Sequence, residues 1–124
     1  MLNQVFFFAA AFFVFFWGAA HLFATRSVVR GFGEISADNQ KIITMEWIVE
    51  GTALMFIGLV VAVVTVIDSS QPVAKAVYWL SFATLNILSI ISLFTGFKVR
   101  LLPFKLCPAI FTAAAILLLL GILL

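Results

Sequence analysis

Four long apolar runs, separated by short polar connections, make up almost the whole chain. A helix that crosses a bilayer needs about 20 mainly apolar residues, because each rises about 1.5 Å through hydrocarbon about 30 Å thick. Residues 5–24, 42–67, 73–97 and 104–124 meet that requirement. None shows the strict alternation of a barrel strand, and inside lipid only helices or closed barrels satisfy the backbone. The pattern predicts an all-α, polytopic membrane protein folded as a single bundle of four transmembrane helices. The first run is apolar on every face from Val5 to Phe23, as expected for a lipid-exposed span.

The punctuation agrees with this division. Asp68, Ser69, Ser70, Gln71 and Pro72 form a turn cluster, and Pro103 and Pro108 bracket the start of the last helix, where proline costs least. Ser36 and Asp38 are both suitable N-caps for the second helix, which would begin in water and be the longest of the four. The connection over residues 25–41 mixes Val28, Val29, Phe32 and Ile35 with charged residues and is expected to be cytoplasmic, lying partly along the interface. Its Gly31 and Gly33 lack the strand and the spacing of a phosphate-binding loop.

Composition narrows the function classes. Of the 124 residues, 65% are hydrophobic and 10% charged, a balance no water-soluble fold can bury. The net charge of +2 is spread over short connections, which excludes the clustered basic footprint of a nucleic-acid partner. Cys107 is the only cysteine, so neither an intrachain disulfide nor a thiolate zinc site is available. One histidine is too few for bis-histidine haem, and the carboxylates lack the repeated Glu-x-x-His spacing of a di-iron bundle. No cofactor or metal is expected.

Basic residues set the expected orientation. Arg26, Arg30 and Lys41 follow the first span and Lys98, Arg100 and Lys105 follow the third, whereas Lys75 stands alone on the other side. The positive-inside rule then puts both basic connections in the cytoplasm and both termini outside, as in a multi-pass protein of a plasma or inner membrane. The lack of basic residues before the first span argues against a cleaved signal peptide.

Ionisable groups within spans cost roughly 2.5–3.5 kcal/mol each on insertion scales and mark candidate sites. Helix rise puts Glu46 about 6 Å and Glu50 about 12 Å below the boundary, with His21 about 4–5 Å down on the neighbouring helix. Sequential helices run antiparallel, so His21 is expected level with Glu46, and Glu50 level with Trp17 and Gly18. Four residues apart, Glu46 and Glu50 share a helical face, and two carboxyls so close in low dielectric should share a proton. Glu46, Glu50 and His21 are thus candidate catalytic groups, with Trp17, Asn86, Arg26 and Arg30 as candidate ligand contacts. Asn86, followed by Ser89, Ser92 and Gly96, would meet Glu50 if its face turned toward the second helix, and Arg26 with Arg30 suits an anionic lipid head group.

Each feature also has a plainer role. His21, Glu46 and Arg26 can snorkel at the interface, Asn86 can join helices, and Trp47, Tyr78 and Trp79 can anchor the bundle at its boundaries. Gly51 with Gly58, and Ala109 with Ala113, are spaced for close helix contacts. Two functions follow as expectations. One is a membrane site with a carboxylate and histidine that binds or processes a small or lipid-like ligand. The other is an accessory or assembly subunit, a homo-oligomer or part of a larger membrane complex, whose polar residues serve packing. A small multidrug exporter carries its membrane glutamate on the first helix, and this first helix has none.

Overall fold

The computed structural model describes all 124 residues. They form α1 (Leu2–Gly31), α2 (Ala37–Asp68), α3 (Pro72–Phe94) and α4 (Leu102–Leu123), with a 3-10 turn at Gly96–Lys98 and no strand. All four helices are long and apolar enough to cross a membrane. The protein is a multi-pass membrane protein built as a four-helix bundle.

The burial pattern is that of a body solvated by lipid. Phe8, Phe12, Phe16, Phe56, Leu59 and Ile90 face outward, while His21, Thr25, Thr65 and Ser81 are buried. Soluble monomers rarely expose contiguous apolar patches beyond a few hundred Å². The core runs through all four helices, from Phe7 and Val14 through Leu54 and Val61 to Leu85, Phe111 and Leu118.

Glycines set the tightest interface. A Cβ on Gly18 would lie 2.5 Å from the Gly51 carbonyl oxygen and 2.7 Å from the Met55 nitrogen, so α1 and α2 touch backbone to backbone. Gly58 repeats the contact against Ala11 and Phe15. Both glycines of the second span therefore pack as their spacing suggested. Ala109 and Ala113 do not: both are exposed, and Ala114 and Ala115 are the small residues buried in α4. The spacing rule identifies a stripe, but the neighbouring stripe won the contact.

The helices pack in the ring order α2, α1, α4, α3, and the ring closes weakly because α2 and α3 share the least extensive interface. At the end carrying both termini, α2 and α3 are joined by the Asp68 turn and by a buried 2.9 Å hydrogen bond between Thr65 and Tyr78. Ser70 donates to Asp68 through both N–H and hydroxyl, and Gln71 adds a third bond, which fixes the turn. Toward the opposite end, where Arg26, Arg30, Lys41, Lys98, Arg100 and Lys105 gather, a groove separates the two helices. That end is called the basic end below.

Residues 25–31 are not a loop. Nothing between Ala24 and Gly31 breaks a helix, so α1 continues to Gly31, and the connection shrinks to residues 32–36 with Gly33 at φ 75°. At 1.5 Å per residue α1 and α2 are about 45 and 48 Å long, against about 35 and 33 Å for α3 and α4. The excess lies at the basic end, where α1 and α2 project about two turns beyond their neighbours. Ser36 caps α2 by accepting from the Asn39 N–H at 3.1 Å, as expected, and α2 is the longest helix. The start of α4 and the residue before it lean on this projection, with the Phe104 and Phe32 rings edge to face and Leu101 against Gly31.

Candidate functional site

The inner face of α1 repeats every three to four residues as Val14, Gly18, His21, Thr25 and Val28, which carries His21 into the bundle at 1% exposure. Its Nδ1 lies 2.8 Å from the Trp17 carbonyl oxygen, one turn back. A carbonyl only accepts, so Nδ1 carries the hydrogen and the neutral ring presents a lone pair at Nε2. That atom faces Glu50 Oε1 at 3.7 Å and has no hydrogen-bond partner. A lone pair and a carboxylate oxygen repel one another unless a proton lies between them. At 3.7 Å the two atoms make no direct hydrogen bond, and a proton between them would make the approach attractive.

Aromatic rings enclose His21. Trp47 stacks on His21 with centroids 4.4 Å apart, Trp17 meets it edge-on at 5.3 Å, and Phe104 lies 5.1 Å beyond Trp47. Thr25 donates its hydroxyl to the His21 carbonyl at 2.7 Å. The indole nitrogens of Trp17 and Trp47 are buried without partners, like His21 Nε2. Each unpaired buried polar group costs about 1–3 kcal/mol. Three in one cluster set this region apart from the apolar packing elsewhere in the bundle.

Glu50 opens the cluster to the outside. Its side chain is 42% exposed, toward the groove between α2 and α3. The groove encloses about 520 Å³ and is lined by Trp47 and Glu50 of α2, Ser92 and Thr95 at the end of α3, and Phe104 and Cys107 of α4. Ser92 stands two residues inside the end of α3 and Cys107 five residues inside the start of α4, or about 3–8 Å by helix rise. Glu50 is thus level with the last turn of α3 and the first turns of α4.

Several sequence-based assignments change. Glu46 does not join His21: it is exposed on α2, beyond the level where α3 ends, and it is Glu50 that faces the imidazole. The flank of α2 that carries both carboxyls is covered by neighbouring helices only at Glu50. Asn86 does not line the groove; its amide donates to the Phe82 carbonyl of its own helix at 2.8 Å. Ser89, one turn on, faces α4, bonding Thr112 at 2.7 Å and donating to the Pro108 carbonyl at 3.1 Å. Trp47 is 5% exposed and Tyr78 1%, so both are core groups and not boundary anchors, whereas Trp79 is exposed. Trp17 does lie beside His21. Arg26 and Arg30 share one exposed stripe of α1, one turn apart, outside the groove lining.

Thr95, Phe104 and Cys107 were not singled out for the site by sequence. The 88, 92, 95 spacing of Leu88, Ser92 and Thr95 carries a helical signal, but nothing in the pattern names its partner. No group of three or more His, Cys, Asp or Glu side chains lies close enough together to hold a metal ion. None of the family models, curated proteins or solved structures compared with this chain matches it.

Proposed function

We propose that this protein binds a small, lipid-like ligand in the groove between α2 and α3, with Glu50 as polar anchor and His21 as the partner with which it shares a proton. One observation carries the reading. The chain's single histidine is buried, with one nitrogen committed to its own helix and the other aimed at a carboxyl that lines a cavity of about 520 Å³. A packing role would be served by a neutral hydrogen-bonded pair sealed from the cavity, but Glu50 is exposed to it. Concave, mostly apolar sites with a few convergent polar groups are the usual form of small-molecule sites.

The pair can give or take a proton from whatever occupies the groove, which makes processing of the ligand compatible with the same geometry. For orientation, the basic end is assigned to the cytoplasm and both termini to the opposite side, in a plasma or inner membrane, on the six-to-one distribution of basic residues. Arg26 and Arg30, exposed there on one stripe of α1, suit contact with anionic lipid.

The test is native mass spectrometry of protein purified in mild detergent, comparing wild type with Glu50→Gln and Glu46→Gln. Wild type and Glu46→Gln should carry a stoichiometric small molecule, and folded Glu50→Gln should have lost it. Wild type that travels with a protein partner and an empty groove would favour the accessory-subunit role instead. A folded Glu50→Gln protein that keeps the ligand would remove Glu50 from the site.

A further inference from the structure

We infer that the groove recognises its ligand through a primary ammonium head on an apolar chain. This rests on the ligand-binding reading above and names the chemical class. Every hydrogen-bonding hydrogen on the lining hydroxyls and thiol is already spent. Ser92 donates to the Leu88 carbonyl at 2.7 Å, Thr95 to Ile91 at 2.6 Å, and Cys107 to Pro103 at 3.4 Å. With Glu50, these side chains offer the groove acceptors, and the one spare side-chain donor of the lining, the Trp47 indole N–H, is buried beneath the surface, so a complementary head donates.

Two further features select positive charge, and a third adds acceptors. The Phe104 ring stands in the wall beside Trp47, one face of which is taken by His21, and aromatic faces attract cations, above all where water is excluded. The last turn of α3 reaches the groove through Ile91, Ser92 and Thr95, has no basic residue, and leaves the Ser92, Leu93 and Phe94 carbonyls without backbone donors. Those carbonyls add acceptors at the site, beside the uncapped N-terminus of α4, whose dipole has the opposite sign. Finally, an ammonium beside ionised Glu50 and neutral His21 supplies the single positive charge that the shared proton otherwise provides.

The surroundings favour arrival from the bilayer. The six basic residues at this end outnumber Glu34, Asp38 and Glu46, which disfavours a cation approaching from water, whereas the α2–α3 gap opens sideways from the bundle. Lys105 is held away, on the Phe97 carbonyl at 3.1 Å and over its ring at 5.0 Å. Lys98 and Arg100 are exposed at the same end, suited to the phosphate of an ethanolamine phospholipid. A free long-chain amine carries the same head without the phosphate.

Calorimetry on the full chain in a non-ionic detergent separates these possibilities. The probes are dodecylamine, its N-trimethyl counterpart and dodecanol, with phosphatidylethanolamine and phosphatidylcholine in parallel. The primary amine should bind about tenfold or more tighter than the trimethyl compound or the alcohol, as expected for a charge-assisted hydrogen bond that only an N–H can make. A preference for phosphatidylethanolamine over phosphatidylcholine points to a phospholipid source, and a preference confined to dodecylamine points to a free amine. Equal binding of primary and trimethyl heads would overturn the ammonium assignment while leaving the groove as a ligand site. Failure of every probe to bind, with wild-type protein empty as purified, would overturn both.

Glu50→Gln should lose about tenfold or more of the affinity for dodecylamine. If that variant does not fold, Ser92→Ala combined with Thr95→Val removes two acceptors without touching charge. It should narrow the preference for the primary amine several-fold, and an unchanged preference would count against the inference.

Discussion

Replacing Gly51 with alanine tests whether backbone contact between α1 and α2 holds the site together. The new methyl would lie 2.7 Å from the Gly18 carbonyl oxygen and 2.8 Å from His21 Cβ, where ordinary contact begins at 3.4 Å. Both neighbours belong to α1 and neither is the end of a flexible side chain, so α1 must move as a unit. Overpacking of this kind costs about 1–3 kcal/mol, and a rigid partner puts this case toward the upper end. Because His21 rides on α1, the same displacement lengthens its 3.7 Å approach to Glu50 and weakens ligand retention. Gly33→Ala is the matched control: nothing lies within 4 Å, and the cost is that of its left-handed φ, about 1 kcal/mol. Unfolding in mixed micelles followed by helical circular dichroism, with native mass spectrometry of the bound fraction, reads both effects. The reasoning is refuted if Gly51→Ala is no less stable than Gly33→Ala and retains its ligand.

Two further substitutions probe the scaffold. Thr65→Val removes the 2.9 Å partner of the buried Tyr78 hydroxyl and should cost about 1–3 kcal/mol, part of which Tyr78→Phe should restore in the double variant; additive losses would show the bond is not shared. Ser36→Ala removes the N-cap of α2 and should cost about 1 kcal/mol, seen as faster hydrogen exchange over residues 37–41, and unchanged exchange there would show that the cap contributes nothing.

The fold was legible because lipid imposes a length rule on apolar runs that has few alternative solutions. The four spans and the Gly51 and Gly58 contacts follow from residue type and spacing, and Ser36 is one of the two caps that the sequence offered. The extent of α1 was harder to read, because a helix leaving the membrane ceases to be apolar without ceasing to be helical. Rotation was the main gap in the site. His21, Glu50 and Trp17 were singled out by depth or level, but His21 was set level with Glu46 and the structure brings it to Glu50. Assigning Glu46 and Asn86 to the cluster failed because a residue's level says nothing about which neighbour covers it. Thr95, Phe104 and Cys107 belong to segments more than 40 residues from Glu50 in sequence, and no local pattern could join them to it.

The unequal closure of the ring has a mechanical corollary. Of the other three helix interfaces, that between α1 and α4, across the ring from the gap, is the least extensive, so a rotation that widens the mouth disturbs least there. A small rotation there is magnified across the width of the molecule. The residues that govern how wide the mouth stands therefore sit on the side facing away from it.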